Sequence, residues 1–330
     1  VATRDKAGKF RAFINACRHR GARVTSAQRG KTPMFVCPFH KWSYAINGQL
    51  VGVPEMELFG EVDKSCHGLI ELPAEEKYGL LFVHPKVGAS LDVEALLGDF
   101  GREIEGFDIG ALVPSGEKTI DMQLNWKLAN DTFGETYHFA KLHSETLGKT
   151  FYGGNLHYEE QGQHHRFVSA NRAIDRLADL PEERWNLPEF SLFLYFLFPN
   201  VQLVIGVERV TLVRIYPDPA NPGRSISQIS AYFSQPMLDA IETVPEHLRI
   251  GPENIYSVRP EGAVLTPQAI FEVFASTIEQ EDYVMGEQQQ AAAASGQSPT
   301  SIFGRNEAPL HHFHNSFRAA LGMPPLEKVA

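Results

Sequence analysis

Two short stretches near the start of the chain carry the residues best suited to hold a metal group, Ala16-Cys17-Arg18-His19-Arg20-Gly21 and Val36-Cys37-Pro38-Phe39-His40-Lys41-Trp42. Each offers one thiol and one imidazole, in the order C-x-H, 17 intervening residues, then C-x2-H. Zinc accepts two Cys and two His, and a structural zinc is one reading, but the usual finger keeps its cysteines in one half and its histidines in the other. The interleaved order suits a [2Fe-2S] cluster in which Cys17 and Cys37 hold one iron while His19 and His40 hold the other, so that each loop touches both irons. Neutral imidazoles raise the reduction potential of such a cluster above that of an all-Cys one and make their iron the resting place of the electron. The chemistry of these residues would be electron carriage, with imidazole edges near the surface.

A second group lies in the stretch NWKLANDTFGETYHFAKLH, which brings Glu135, His138 and His143 close together in sequence. Glu135 and His138 share a face of a regular helix, whereas His138 and His143, five apart, are separated by about 140° of helical rotation. Both imidazoles can face one ion only where the helix is distorted or has ended before His143, and the i, i+4 spacing of an HExxH zinc site is not met. Taken alone, histidines in such a segment read as polar partners in a core. What favours a metal is a carboxylate from a distant helix, Asp282, which falls four residues after Ile278 on an apolar stripe. An inward carboxylate is costly unless it is paired or bound to metal. Two His and one carboxylate form a facial triad for Fe(II), with positions left open for O2 and substrate. Glu281, directly before Asp282, competes for the carboxylate role, and the stripe favours Asp282.

The elements that must position these groups change character along the chain. Residues 1–75 read as short strands and turns (KFRAFIN, MFVCPF, WSYAINGQLVG), with Asn47-Gly48 as a hairpin turn. This is a small all-β domain with the Cys/His pairs on loops. From 76 to 330 the pattern is mixed: YGLLFVHP as a strand, LDVEALLGDF as a short helix, the helical stretch around His138, then strands in HHRFVSANRA, FLYFLFPNVQLVIG, ERVTLVRIYP and SISQISAYFSQ. A long helix begins with Thr266 as N-cap and Pro267 in the first turn, and carries Ile270, Phe274, Ile278 and Met285 at helical spacing. The fold class expected is α+β, with an antiparallel sheet wrapped around the long C-terminal helix. QQQAAAASGQSPTS reads as a fraying helix end and a loop. Phe133, Phe193, Tyr195, Phe198, Val204 and Phe274 are candidates for an apolar pocket, each of which also reads as ordinary core. His164 and His165, adjacent in a strand, point to opposite faces. His311, His312 and His314 read as surface or structural, with His312 and His314 pointing together and His311 away if the run is extended.

The composition bounds the rest. With 330 residues, 43% hydrophobic content and 22 Phe, the chain is long enough for two domains with substantial cores. A net charge of −10 with no basic stripe speaks against nucleic acid and membrane surfaces as partners. The longest apolar run, LFLYFLF, is too short to span a bilayer, and the start shows no apolar signal stretch, so the cytoplasm is the expected compartment. Three cysteines make no disulfide framework, and Cys66 reads as an inert leftover thiol. The chain opens on Val1 already inside a strand-like pattern, so upstream sequence is expected to be missing. No Gly-rich nucleotide or flavin fingerprint is present, and the reductant must be a separate protein.

ACRHRG and CPFHKW, with Gly21 and Trp42, resemble the Rieske motif. NWKLANDTFGETYH resembles the segment carrying the two His ligands in Rieske non-haem iron oxygenase α subunits of the aromatic-ring-hydroxylating type, and IEQEDYVMGEQ is similar to the segment carrying their carboxylate. The resemblance covers nearly the whole chain, including a C-terminal FGRNE...HHFH segment typical of one branch. It implies a Rieske domain followed by a helix-grip (START/Bet v 1-like) catalytic domain, the former truncated at its N-terminus. It assigns the [2Fe-2S] cluster to Cys17, His19, Cys37 and His40, and a mononuclear Fe(II) to His138, His143 and Asp282, with O2 as co-substrate. Glu135 matches the acidic residue that bridges an iron-ligating His to a Rieske His of a neighbouring subunit, here His40. Asp131-Thr132 stand where the family commonly has Glu-Asn. The implied activity is that of a terminal oxygenase hydroxylating an aromatic or other apolar substrate, with N- or O-demethylation or quaternary amine oxidation as the alternative. A ferredoxin or flavin reductase would be the electron donor, and the assembly a homotrimer with or without a small β subunit. Two readings of other classes compete: a pure electron-transfer Rieske protein, and a zinc-stabilised ligand-binding protein.

Overall fold

The computed structural model describes residues 1–255, 259–297 and 300–329. The chain divides into two compact units, Val1–Gly110 and Ala111–Ala330.

The first unit is built from short antiparallel strands. Ala2–Arg4, Phe10–Phe13 and Glu71–Leu72 form one three-stranded sheet, and Met34–Val36, Ser43–Ala45 and Leu50–Gly52 form another. Strands this short bury little by themselves, and the two sheets enclose a core of Phe13, Val24, Phe35, Trp42, Tyr44, Leu50 and Leu69 into which the Cys17 and Cys37 side chains also pack. The hairpin turn expected at Asn47-Gly48 forms as a three-residue loop, with the Gly48 N–H donating to Ala45 O at 2.9 Å and Gly48 alone at positive φ, 87°. The compact unit runs on to Gly110, past the change of sequence pattern near residue 75. The reason is pairing: Ala74–Lys77 forms a hairpin with Leu80–Val83, Glu76 is held by Arg4 at 2.5 Å, and Lys77 holds Glu94 at 2.7 Å on the following helix Val93–Leu97.

The second unit is a seven-stranded antiparallel sheet with helices. In spatial order its strands are Phe151–Gln161, His164–Asn171, Ser191–Leu197, Val201–Gly206, Arg209–Pro217, Ser225–Phe233 and Val113–Met122. The order is a meander closed by the strand that comes first in the chain, so nearly every pairing is between sequence neighbours. Period-two alternation puts a cross-strand row on one face: Phe167 lies opposite Leu194, and Leu194 opposite Val204. Onto that face packs the long helical segment. Thr266 caps it by accepting the Ala269 N–H at 3.2 Å, and it runs Pro267–Thr277, passes through a π-helical turn at Ile278–Asp282, and continues as Tyr283–Ala294. Phe271, Ala275, Ile278 and Tyr283 join the sheet's core, and the Tyr283 hydroxyl meets that of Ser227 on the sheet at 2.7 Å. The unit is α+β with an antiparallel sheet around a long C-terminal helix, as the order of elements predicts. In the QQQAAAASGQSPTS stretch the helix holds to Ala294, and Ser298 and Pro299 lie outside the described residues. Among the described residues, no helix is long and apolar enough to cross a membrane.

Candidate metal centre

In the first unit the two Cys/His loops repeat one backbone device. The Cys17 N–H donates to Ala22 O at 2.8 Å and Cys17 O accepts from Gly21 N at 2.8 Å; the Cys37 N–H donates to Trp42 O at 2.8 Å and Cys37 O accepts from Lys41 N at 3.0 Å. Each turn needs a left-handed residue at its fourth step, supplied by Gly21 at φ 78° and Lys41 at φ 61°. Both cysteines end buried, and the His19 and His40 rings meet at 4.5 Å, with His19 stacked on Trp42 at 5.1 Å. Cys17 Sγ lies 3.2 Å from the Tyr44 hydroxyl, which also accepts the Arg18 N–H at 2.9 Å. Partial desolvation, with His19 and Arg20 nearby, holds His40 below its ordinary pKa and so in the neutral form that ligates metals.

Whether an iron–sulfur cluster fits can be tested on the imidazoles. Nδ1 of His19 and Nδ1 of His40 are both buried, and neither has a hydrogen-bond partner. A buried polar atom without a partner costs free energy that ligation would recover. Two buried thiols and two buried imidazole nitrogens without partners fit the mixed Cys/His ligation of a two-iron cluster.

In the second unit the stretch after the sheet's first strand forms a short helix, Trp126–Asp131, capped by Asn125, whose side chain accepts the Lys127 N–H at 2.9 Å. The helix therefore ends well before either histidine, which removes the 140° obstacle that a regular helix would impose. Turns follow. Glu135 accepts the backbone N–H groups of Tyr137 and His138, the latter at 3.1 Å, and a carboxylate oxygen also contacts His138 Nδ1 closely. The chain then folds tightly enough that a Cβ at Gly148 would lie 2.6 Å from Phe139 O and 2.8 Å from His143 O, so only glycine fits there. The His138 and His143 rings are brought to 4.8 Å.

Asp282 comes from the end of the π turn, and π turns recur where a helix re-aims a functional side chain. Its Oδ1 lies 3.3 Å from His138 Nε2 and 3.2 Å from His143 Nε2. His138 Nε2 is buried and makes no hydrogen bond. Among the described residues, His138, His143 and Asp282 are the only group of three or more His, Cys, Asp or Glu donors drawn within 4.8 Å of one another. The donor set, two imidazoles and one carboxylate with one nitrogen left orphaned, fits a mononuclear iron. Burial alone would lower both imidazoles, but Asp282 together with Glu135 raises His138 to about 9, and Asp282 with Glu281 raises His143.

Glu281 does not compete with Asp282: its Oε2 sits on the opposite edge of the His143 ring, 2.7 Å from Nδ1, and accepts the Thr146 hydroxyl at 3.2 Å. Sequence reasoning missed this contact, and its only signal was the adjacency of two acids. Asp131 is turned to the C-terminal helix Ala308–Ala320, where both its oxygens lie 2.9–3.1 Å from His314 Nε2. That segment is helical rather than extended, so the histidines sort by helical spacing: His311 and His314 both flank Phe303, while His312 faces Glu160 and the buried His165.

Beside the three donors lies a small apolar cavity. Phe133, Val204 and Phe274 line it as expected, joined by Phe167, Leu192 and Leu194. Phe193 and Tyr195 do not, because strand alternation gives Leu192 and Leu194 the helix-facing side, and Phe198 packs on Phe317 instead.

Residues 109–323 match the family described as ring hydroxylating alpha subunit (catalytic domain), and residues 1–63 match the Rieske [2Fe-2S] domain. The large oxygenase component of a naphthalene 1,2-dioxygenase system from Pseudomonas aeruginosa is 35% identical over 156 residues, 43% of this chain and 33% of that protein. The large subunit of anthranilate 1,2-dioxygenase from Acinetobacter baylyi is 34% identical over 149 residues, and the alpha subunit of an N,N-dimethyl phenylurea N-demethylase from Sphingobium is 34% identical over 154. The matched stretch spans only about a third of the length of these relatives, 32–33%. In fold, the chain is similar to a quaternary ammonium Rieske monooxygenase in complex with L-carnitine, with a TM-score of 0.73 at 16% identity over 97% of this chain and 80% of that one. It is similar also to naphthalene 1,2-dioxygenase from Rhodococcus, with a TM-score of 0.64 at 19% identity over 96% of this chain and 82% of that one.

Proposed function

Because the chain belongs to the ring-hydroxylating alpha subunit family, with a Rieske [2Fe-2S] domain ahead of its catalytic domain, we propose that it is the terminal oxygenase component of an electron-transfer system and hydroxylates a neutral apolar, aromatic substrate. Cys17, His19, Cys37 and His40 would hold the cluster, and His138, His143 and Asp282 the mononuclear iron. When bound, that iron supplies O2 activation at positions its three protein ligands leave open. The observation that carries the reading is the trio of donor atoms within 4.8 Å at the wall of an apolar cavity.

The chain's own residues do the remaining work. Glu135 grips His138 through Nδ1 and the backbone, which orients the ring and leaves Nε2 toward Asp282. Glu135 is also the proposed bridge to His40 of a neighbouring copy, through which electrons reach the catalytic unit. Phe133, Phe167, Leu194 and Phe274 would exclude water and hold a flat apolar molecule against the donors. Among the described residues no Arg or Lys lines this cavity, and its charged side chains besides the histidines are Glu135 and Asp282. Apart from the metal that the three donors would hold, a substrate carboxylate would find no cation to pair with, and the rest of the lining is mostly apolar, which favours neutral molecules.

A separate ferredoxin or flavin reductase is the proposed donor, the proposed assembly is a homotrimer with or without a small β subunit, and the proposed compartment is the cytoplasm, in keeping with three free cysteines. Demethylation of an aromatic N-methyl compound is the second reading. It is favoured by the relative named as a phenylurea N-demethylase and by a cavity that accepts the same apolar shape. The test is metal content with the visible spectrum, followed by substrate-dependent O2 uptake with a surrogate reductase. About three irons per chain and a Rieske-type spectrum are expected, whereas about two would indicate an electron carrier, and a colourless zinc protein would overturn both iron readings.

A further inference from the structure

The imidazole of His143 is gripped on both edges by consecutive residues of one helical segment. Asp282 Oδ1 lies 3.2 Å from Nε2 and Glu281 Oε2 lies 2.7 Å from Nδ1. On a regular helix neighbouring side chains diverge by about 100°, and these two reach opposite edges of a single ring at the π turn Ile278–Asp282. A third group closes the arrangement. The Thr146 hydroxyl donates to Glu281 Oε2 at 3.2 Å, while the Thr146 N–H donates to His143 O at 3.0 Å, so the ring, the carboxylate and the His143 backbone are tied into one loop. His143 is the only ion-pair partner of Glu281 among the described residues. Among the described residues no Lys or Arg pairs with this carboxylate. His143 itself is 1% exposed and sits against the Phe139 ring at 5.5 Å.

We propose that Glu281 is a positioning residue for the mononuclear metal site: by accepting the Nδ1 proton of His143 it fixes that ring in the tautomer and orientation that present Nε2 to the metal. The inference rests on the reading of His143 and Asp282 as ligands. It gives the second ligand histidine what Glu135 gives the first, a carboxylate at Nδ1 with Nε2 left facing Asp282. A carboxylate in this position sets the tautomer and makes the imidazole a stronger donor, and its loss characteristically weakens metal binding roughly 10- to 100-fold. Without it the His143 ring is free to turn over, offering either nitrogen and holding neither.

The experiment measures Fe(II) affinity of the whole chain by anaerobic competition with a chromophoric chelator, together with the EPR spectrum of the Co(II)-loaded protein with its cluster oxidised. The variants are Glu281→Ala, Glu281→Gln, Glu281→Met and His143→Ala, with cluster absorption as the check that the first unit is intact. Glu281→Ala and Glu281→Met should weaken Fe(II) binding roughly 10- to 100-fold and change the Co(II) spectrum, while Glu281→Gln, whose amide oxygen still accepts a hydrogen bond, should restore most of both. An affinity for Glu281→Ala within about twofold of the unchanged chain, with the same Co(II) spectrum, would overturn the proposal. Should Glu281→Ala fail to fold, equal affinities for the near-isosteric Met and Gln variants would overturn it in the same way. His143→Ala separates the two levels of argument. If it binds Fe(II) as tightly as the unchanged chain, the ligand reading itself is wrong; if it loses the metal while Glu281→Ala keeps it, only the positioning role is wrong.

Discussion

The two units build their metal-binding groups by opposite routes. In the first, all four donors come from residues 17–40, on two turns with the same pair of backbone hydrogen bonds around Cys17 and Cys37. In the second, His143 and its carboxylate partners are 138 and 139 residues apart, and they are brought together by the long helix packed on the sheet. The local group depends on turn chemistry and a small core, whereas the distant one depends on the whole unit being folded. Each route leaves its mark on the donors. Both leave buried imidazole nitrogens without partners, Nδ1 of His19 and His40 in the first and Nε2 of His138 in the second, but only in the second do nearby carboxylates raise the imidazoles above their ordinary pKa.

The sharpest way to break this contrast is to remove one donor from each side. Asp282→Ala should abolish metal binding in the second unit, taking total iron from about three to about two per chain with the cluster's visible absorption intact. Cys37→Ala should do the reverse, bleaching the chain while the second unit keeps its ion. Metal analysis alongside the spectrum reads both outcomes. Iron that fell to the same level in both variants would show that the two groups are not independently built.

A graded form of the comparison uses pH. In the metal-free protein His138 is raised to about 9, because Asp282 and Glu135 outweigh the effect of burial. A raised folded-state pKa contributes stability that is fully present below the unfolded value near 6.5 and is lost as pH rises through about 9. Metal needs the neutral ring, so over that same window apparent affinity at the second site should rise, by roughly tenfold per pH unit for each proton displaced. Calorimetry in buffers of different ionisation enthalpy would count the protons released. His40 is shifted the other way, downward, so cluster retention in the first unit should show no such rise between neutral pH and 9. An affinity for Fe(II) at the second site that stayed flat over this range would mean that the carboxylates do not hold the imidazoles protonated.

How far each group can be read in the sequence follows from the same difference. The Cys/His loops are legible because ligand order, Gly21 and Trp42 all sit in one contiguous stretch. Thr266, Pro267 and the stripe through Ile278 mark the long helix and aim Asp282 inward without any knowledge of the sheet. What spacing could not supply was where the helix before His138 ends, because Asp131, Thr132 and Phe133 carry no strong stop signal and the turn is set by Glu135 capping the Tyr137 and His138 N–H groups. The π turn, and with it the two-edged grip on His143, is invisible to a 3.6-residue period. Phe193 and Tyr195 were misplaced by one residue of strand register, which exchanges the two faces of a strand.

The smallest expected effects lie inside the first unit, where its two loops can be compared with each other. Both place a residue at positive φ four steps after the cysteine, but one uses Gly21 and the other Lys41. Gly21 is exposed, and a Cβ there would meet nothing within 4 Å, so Gly21→Ala tests backbone conformation alone. It should cost up to about 1.5 kcal/mol, the penalty of about 1–2 kcal/mol for a left-handed L residue less roughly 0.5–1 kcal/mol of unfolded-state freedom that glycine loses. Lys41 already bears that penalty at φ 61°. Lys41→Gly would relieve it but would add back about 0.5–1 kcal/mol of unfolded-state freedom, leaving a net change between zero and about 1.5 kcal/mol, in the stabilising direction. The measurement is the denaturant midpoint for loss of cluster absorption in the two variants. A loss on Lys41→Gly as large as that on Gly21→Ala would mean that the Lys41 side chain, exposed though it is, does more than tolerate its turn, and that the two loops are alike in hydrogen bonds but not in what holds them.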